Sequence, residues 1–446
     1  MSIRRFSISF TLALLAGAAL GTGARAQSAP TPPAAATPPA ELTLAEVYSL
    51  ARQQNAMLQA SQASIEAVRA LEPGAKLPPD PQLQFGVMNT PLPGVERMST
   101  QLQPSLQLMQ MVPTAGKLGL SGRIARQSTQ IQRAQAEETG WMVRSQAAMN
   151  YYEIYQVERQ IRVMRETLTW LQTFEQVAKA MYSAGEGRQS DVLRASVEVA
   201  RMNTEIARMQ AMRTAAVARL NAVLNRPADT PVPVVSWTPL PLALPPQDTL
   251  ANWAEATRPL LARGRLAVAQ AGTRRTLAKR ELWPDLNVGF QLTQQPGATG
   301  ESERMGGLML GFNLPVFAGQ RQLQMRKEAA AMEQMNRAEL TNTRAEVRAR
   351  IGELSAELER ARTLVRLYRT EVLPQAEANV SSALASYRVG KVDFLTLVDA
   401  QMTLNQYQQE LYKLLAEYGT MTAELEMAVG RELPQTSNAV LTEEPR

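Results

Sequence analysis

The sequence predicts a mainly α-helical chain with transmembrane β-strands, built as a duplicated helix-strand-strand-helix-helix repeat. Three observations predict it. First, the chain matches itself. Tyr182-Ser-Ala-Gly185 with Asp191, Val192, Leu193 and Ala195 returns 205 residues later as Tyr387-Arg-Val-Gly390 with Thr396, Leu397, Val398 and Ala400. Thr114-Ala115-Gly116-Lys117 is answered by Phe317-Ala318-Gly319-Gln320, Leu77 and Asp80 by Leu282 and Asp285, and Asn225-Arg226 by Gly430-Arg431. Second, long stretches carry apolar residues at alternating spacings of three and four, the period of packed helices. Third, between those stretches the period falls to two, the period of strands with one apolar face.

In chain order, residues 1–26 read as a secretory signal. Arg4 and Arg5 precede an apolar run, Phe6 to Leu20, and Ala24-Arg25-Ala26 is a small-residue cleavage site. Residues 27–40 form a Pro/Ala-rich leader. The first repeat covers 41–227. Thr43, with Glu46 at capping-box spacing, starts a helix that runs to about Leu71, ahead of Pro73-Gly74. Strands are expected at about 82–90 and 101–112. From Lys117 to Ser183 no proline occurs, so one helix on the order of 100 Å long is expected. A second runs from about Ser190 to Asn225. A Pro-rich linker, 228–247, leads to the second repeat, 248–432, with strands at about 284–294 and 305–315. Its helices run from about Gln320 to Tyr387, with a kink or split at Pro374, and from about Phe394 to Val429. Residues 433–446 are a tail. The seams are Leu340, Val347, Ile351, Leu354, Leu358, Ala361, Val365, Tyr368 and Val372, then Tyr407, Leu411, Leu414, Tyr418, Met421, Leu425 and Ala428, with Val157, Ile161, Met164, Leu168 and Leu171, and then Ala195, Val199, Met202, Ile206 and Met209, in the first repeat. They fit antiparallel coiled-coil pairs or an ordinary bundle core.

The strands place Leu286, Val288, Phe290 and Leu292 against Asn287, Gly289, Gln291 and Thr293. Each run is close to the roughly 9–11 residues of a tilted strand crossing a bilayer. A soluble hairpin with one buried face has the same alternation. The export signal, and the lack of a helical core to cover such strands, favour lipid on one face and water on the other. Four strands cannot close a barrel, and an open edge in lipid leaves backbone groups unpaired. The chain must therefore oligomerise. Two copies give a narrow, side-chain-filled barrel, and three give about 12 strands with an aqueous lumen.

Composition removes several classes. The chain has no Cys and no His, which excludes disulfides, thiol and imidazole chemistry and the usual zinc sites. The net charge of +6 is spread among interleaved acids and bases, so no nucleic-acid partner is expected. No nucleophile–base pair, ligand spacing or phosphate loop points to an enzyme, and no cofactor is expected.

The ordered set of these features, including Pro113-Thr-Ala-Gly-Lys117, Pro315-Val-Phe-Ala-Gly-Gln320 and Leu373-Pro374-Gln-Ala376, resembles the TolC-like outer-membrane efflux channels over about residues 41–432. The resemblance implies a homotrimer, with a 12-stranded barrel in outer-membrane lipid above a long α-helical coiled-coil periplasmic tunnel. It implies no catalysis. It also implies a periplasmic adaptor and an inner-membrane pump, commonly of the resistance-nodulation-division type, as partners in efflux. In that family a carboxylate in the first inter-helix turn ties the closed tip to the second turn. Asp191 matches that carboxylate and Tyr387 the tyrosine of the second turn. The arginine expected two residues after Gly390 is Val392, with Arg188, Arg388 and Lys391 as candidate substitutes. Asp399 matches one position of an aspartate ring below the gate, and Thr396 falls on the other. The turn residues Gly185, Gly187, Gly390 and Lys391 would form the rim that meets the adaptor. The competing class is a structural periplasmic coiled-coil protein without a pore.

For cargo, Met88, Met98, Met109 and Met111 cluster around the first strand pair. Thioether sulfur suits soft ions such as Cu(I), and Met88, Met109 and Met111 are candidate contacts. The segments Gly86 to Pro91 and Met111 to Leu118 also resemble the heavy-metal branch of the family. Methionine is equally a flexible apolar strand residue, and drugs or organic solutes are the other cargo class.

Overall fold

Capping chemistry sets the first helices. In the computed structural model, which describes residues 41–88, 103–241, 243–296, 302–434 and 440–441, helix α1 (Leu44–Gln54) starts at Thr43. The Thr43 hydroxyl accepts the Glu46 N–H at 3.3 Å, and the Glu46 carboxylate accepts the Thr43 N–H at 2.9 Å, the expected capping box. The single helix expected to Leu71 is two. Asn55 ends α1 and caps α2 (Ala56–Ala70), accepting the N–H groups of Met57 at 2.9 Å and Leu58 at 3.3 Å. Its own amide donates to Val223 O at 2.7 Å. A side chain with both a local and a distant partner competes with the continuous helix. The signal and leader, residues 1–40, lie outside the described residues.

Strands β1 (Gln82–Met88) and β2 (Gln103–Val112) follow, then α3 (Lys117–Ser183), 67 residues long, and α4 (Gln189–Val223). The second half runs through β3 (Leu240–Pro241), α5 (Gln247–Thr257), α6 (Pro259–Arg280), β4 (Leu286–Pro296) and β5 (Ser302–Phe312). It ends with α7 (Gln322–Leu367), a π-helical turn (Tyr368–Val372), α8 (Leu373–Arg388), α9 (Phe394–Val429) and β6 (Val440–Leu441). The expected disturbance at Pro374 is this widened turn. It lies just upstream, so the ring falls in the first turn of α8, where a missing N–H is tolerated. Residues 89–90 and 101–102 of the expected first strand pair, and Met98, lie outside the described residues.

The predicted seams are the core. Leu340, Val347, Ile351, Leu354, Leu358, Ala361 and Val365 are all buried, as are Val157, Ile161, Met164 and Leu171, whereas the seam positions Leu168, Val199, Tyr368, Val372, Tyr407 and Met421 are half-buried at its margins. One cluster gathers around Tyr151, Tyr152, Tyr155 and Tyr418. A second, around Phe174, Phe394 and Leu397, lies toward the two inter-helix turns. The Pro-rich linker is not loose. Leu42 N–H donates to Val234 O at 2.9 Å, and Ser236 N–H donates to Leu42 O at 3.1 Å. Within it β3 pairs with β6 of the tail, and the Tyr418 hydroxyl donates to Pro241 O.

Candidate functional site: the four-stranded sheet and the two inter-helix turns

Strands β1, β2, β4 and β5 form one antiparallel sheet in the order β1-β2-β4-β5. Register assembles the apolar residues on one face, with Phe85 opposite Leu106, Leu106 opposite Leu292, Leu108 opposite Phe290, and Phe290 opposite Leu308. This face is open in the protomer: Phe85 is 79% exposed, Leu308 73% and Leu310 64%. Soluble proteins rarely leave so continuous an apolar surface bare. The opposite face pairs Gln84 with Gln107, Gln107 with Gln291, and Ser105 with Thr293. The two outer strands, β1 and β5, each pair on one side only among the described residues.

A clamp fixes the sheet to the helices. Lys117, buried at the start of α3, donates from Nζ to Asp285 Oδ1 at 2.9 Å and Trp283 O at 3.0 Å, with Glu281 Oε2 at 3.4 Å. Asp285 Oδ1 also accepts the Thr114 N–H at 3.1 Å, and the Thr114 hydroxyl donates to Pro284 O at 2.6 Å. The β2–α3 turn is thereby tied to the α6–β4 turn. Gln110 is the exception to the facial alternation, opposite Val288; its amide donates to Pro79 O at 2.7 Å.

The candidate methionines spread along the sheet. Met109 sits opposite Gly289, which faces Met309 on its other side. A methyl added to Gly289 would lie 3.4 Å from both Met109 Cγ and Met309 Cε. Met111 is opposite Asn287, and Met88 is opposite Gln103, at the other end of β1 from Met109's partner Gln82. Met88, Met109 and Met111 therefore do not converge on one point. Met305 and Met309, which sequence reasoning passed over, share the register rows of Thr293 and Gly289. The signal was present in the period-two alternation of β5. Among the described residues, no group of three or more acidic side chains is placed to hold a metal ion.

At the far end of the helices the two turns are built alike. Gly185 (φ 78°) and Gly390 (φ 68°) are left-handed, which glycine adopts without penalty. Glu186 N–H donates to Met181 O at 2.9 Å and Gly185 N–H to Tyr182 O at 3.0 Å; Lys391 N–H donates to Ser386 O at 2.9 Å and Gly390 N–H to Tyr387 O at 2.9 Å. Both are Schellman caps. Gly187 has no room for a side chain, since a Cβ would lie 2.8 Å from Tyr182 N.

The structure brings Asp191 and Tyr387 close without a hydrogen bond between them. Tyr387 is 4% exposed and stacks edge-on against Phe394, centroids 5.6 Å apart. Its buried hydroxyl has no hydrogen-bond partner among the described residues. Burial, and then the Asp191 carboxylate, push it above the ordinary tyrosine value. Thr396 caps α9 with Asp393, giving its N–H at 3.0 Å and its hydroxyl at 2.5 Å to Asp393 Oδ1. Those two bonds hold Asp393 below the ordinary aspartate value, with a smaller contribution from Arg194. Asp399 is exposed and lines a groove of about 840 Å³ between α4 and α9, with Arg194 and Arg201 on the facing wall. Arg194, which sequence reasoning did not single out, is thus a cation that acts on this acidic cap and lines the groove. Its place depends on which helix faces which, and spacing alone does not carry that.

No described helix is long and apolar enough to cross a membrane. The model of the family described as outer membrane efflux protein matches residues 47–226 and 250–431. By sequence alone, no curated protein matches the chain. Among solved structures, a membrane protein from Pseudomonas aeruginosa superposes with a TM-score of 0.75 at 16% identity, covering 87% of this chain and 93% of that one. CusC gives 0.74 at 16% identity, over 87% and 92%. VceC, an outer membrane protein from Vibrio cholerae, gives 0.73 at 16% identity, over 87% and 96%. With both halves of its sequence matched and this fold shared, the chain belongs to the outer membrane efflux protein family.

Proposed function

We propose that three copies of this chain form the exit duct of a tripartite efflux system, carrying solutes from a periplasmic adaptor and an inner-membrane pump of the resistance-nodulation-division type through the outer membrane. One observation carries this reading: a four-stranded sheet with two free edges and one bare apolar face. Such a sheet satisfies its backbone in lipid only by closing on further copies, and three give about 12 strands around water. The self-match that divides the chain into two repeats, 41–227 and 248–432, fits this arrangement. In it the α-helices continue the barrel into a tunnel whose tip is the pair of Schellman turns.

At the tip, Asp191 and Tyr387 act as the latch between the turns, and Asp399 supplies a carboxylate from each copy to the constriction, with Thr396 one helical turn earlier. Gly185, Gly187, Gly390 and Lys391 form the rim offered to the adaptor. No catalytic step and no resident cofactor are part of this reading. For cargo, soft metal ions such as Cu(I) are the narrower proposal, because Met109, Met111, Met305 and Met309 share the glutamine-bearing face of the sheet; otherwise the duct passes drugs or organic solutes. The test is purification from the detergent-extracted outer membrane. A trimer that conducts ions in a planar bilayer is expected. A monomer that stays soluble without detergent would instead mark a periplasmic scaffold. A deletion strain sensitised to copper or silver, rather than to organic toxicants, is the expected result for the narrower cargo.

A further inference from the structure

The seam between the two halves inside one chain is a template for a seam that no single chain can complete. Inside the chain, β2 meets β4 with Leu106 opposite Leu292, Leu108 opposite Phe290 and Gln110 opposite Val288. Below that seam, Asp285 accepts the Thr114 N–H and the Lys117 ammonium. The free edges carry the counterparts of these elements. Strand β1 matches β4, with Phe85 in the place of Phe290, Val87 of Leu292 and Asp80 of Asp285. Strand β5 and its turn match β2 and its turn, with Leu308-x-Leu310 followed by Leu314-Pro315 for Leu106-x-Leu108 followed by Val112-Pro113. The turns share one backbone hydrogen bond, Lys117 N–H to Thr114 O at 3.2 Å and Gln320 N–H to Phe317 O at 3.1 Å, although the second turn has one extra residue, Val316, and lacks the left-handed backbone of Ala115 and Gly116.

The free edges also have the signs of a missing partner. Leu83 and Val87 are each 54% exposed, Phe312 63% and Phe317 76%. Asp80 is exposed, and the Phe317 N–H, counterpart of the Thr114 N–H, has no acceptor among the described residues.

From this we infer that β5 of one copy pairs with β1 of the next in one register, Leu308 opposite Val87, Leu310 opposite Phe85 and Phe312 opposite Leu83, and that Asp80 of the second copy accepts the Phe317 N–H of the first. Every one of these cross-strand pairs is apolar on the lipid-facing side. The seam between copies also differs from its template in one respect. Gln320 stands where Lys117 stands, so Asp80 meets an amide instead of an ammonium. The intrachain seam is held by a buried ion pair and the seam between copies by a carboxylate that accepts from uncharged donors with no counter-cation, which makes the latter the weaker joint of the ring. This inference rests on the trimeric duct proposed above.

The chain has no cysteine, so introduced thiols can be read without background. The full-length protein carrying Leu310→Cys and Phe85→Cys, treated in detergent with a short bifunctional thiol reagent, should yield covalent trimers that survive SDS. Leu310→Cys with Leu83→Cys places the second thiol about 7 Å along the strand and should cross-link several-fold less. A native-gel trimer that cross-links best through the shifted pair overturns the register and leaves the duct standing. A cysteine pair variant that remains monomeric, like the unmodified chain beside it, overturns both. Asp80→Ala should lower the temperature at which the SDS-resistant trimer dissociates. A trimer as heat-resistant as the parent removes Asp80 from the seam.

Discussion

Replacing Lys117 by Met keeps the length of the buried side chain and deletes its charge. The structure sets the size of the effect. The ammonium donates hydrogen bonds to Asp285 and Trp283 O, and Glu281 stands 3.4 Å away as a second counter-charge. Removing one partner of a buried ion pair costs about 3–5 kcal/mol. Asp285 keeps the Thr114 N–H, and its side chain is 19% exposed, so water offsets part of the loss. The expectation is about 2–3 kcal/mol. Asp285→Asn alone leaves the buried ammonium short of its counter-charge, whereas the double variant removes both charges together. The assay is urea unfolding of the detergent-solubilised protein followed by helical circular dichroism, run as a double-mutant cycle. A coupling of about 1.5 kcal/mol or more between the two substitutions is predicted. Lys117→Met within about 0.5 kcal/mol of the parent, or strictly additive single effects, would refute the reasoning.

Three further outcomes follow from particular residues. Gly430 is left-handed (φ 75°), and a Cβ there would lie 2.6 Å from Arg258 Cα, so Gly430→Ala should cost about 2–4 kcal/mol in the same unfolding assay; Gly272→Ala, with nothing within 4 Å, should be neutral or slightly stabilising. Glu255 is held below the ordinary glutamate value mainly by its hydrogen bond from Arg344. Its contribution is therefore present above the unfolded value of 4.5 and lost as pH falls through the lower folded value, and Glu255→Gln should flatten that acid limb in a titration of the unfolding midpoint. Asp191→Ala should raise the ion conductance of the isolated trimer, and unchanged conductance would take Asp191 out of the latch.

Much of the fold was legible because its signals are local or periodic. The long helix α3 begins and ends as expected, at Lys117 and Ser183, because the glycine-bearing turns on either side carry their own punctuation. The heptad seams are buried because three-four spacing fixes one face of a helix whatever it packs against. The break at Asn55 was not legible, since half of its cause is the distant carbonyl of Val223. The pairing of β3 with β6 was hidden in a two-residue segment that contains proline, a residue that argues against a central strand. At the tip, the repeat offset found Asp191 and Tyr387. It missed Arg194, because its counterpart at the same offset, Asp399, carries the opposite charge, and only the packing of α4 beside α9 brings it near Asp393.

The central claim is that lipid covers the Phe85, Phe290 and Leu310 face of the sheet and water the Gln84, Gln291 and Met309 face. The most direct measurement introduces single cysteines at these six positions in the cysteine-free chain, reconstitutes each variant in lipid vesicles, and compares labelling by a membrane-impermeant maleimide with quenching by a lipid-borne quencher. The account predicts fast aqueous labelling at 84, 291 and 309, and lipid quenching without aqueous labelling at 85, 290 and 310. Equal aqueous labelling of both sets would contradict it.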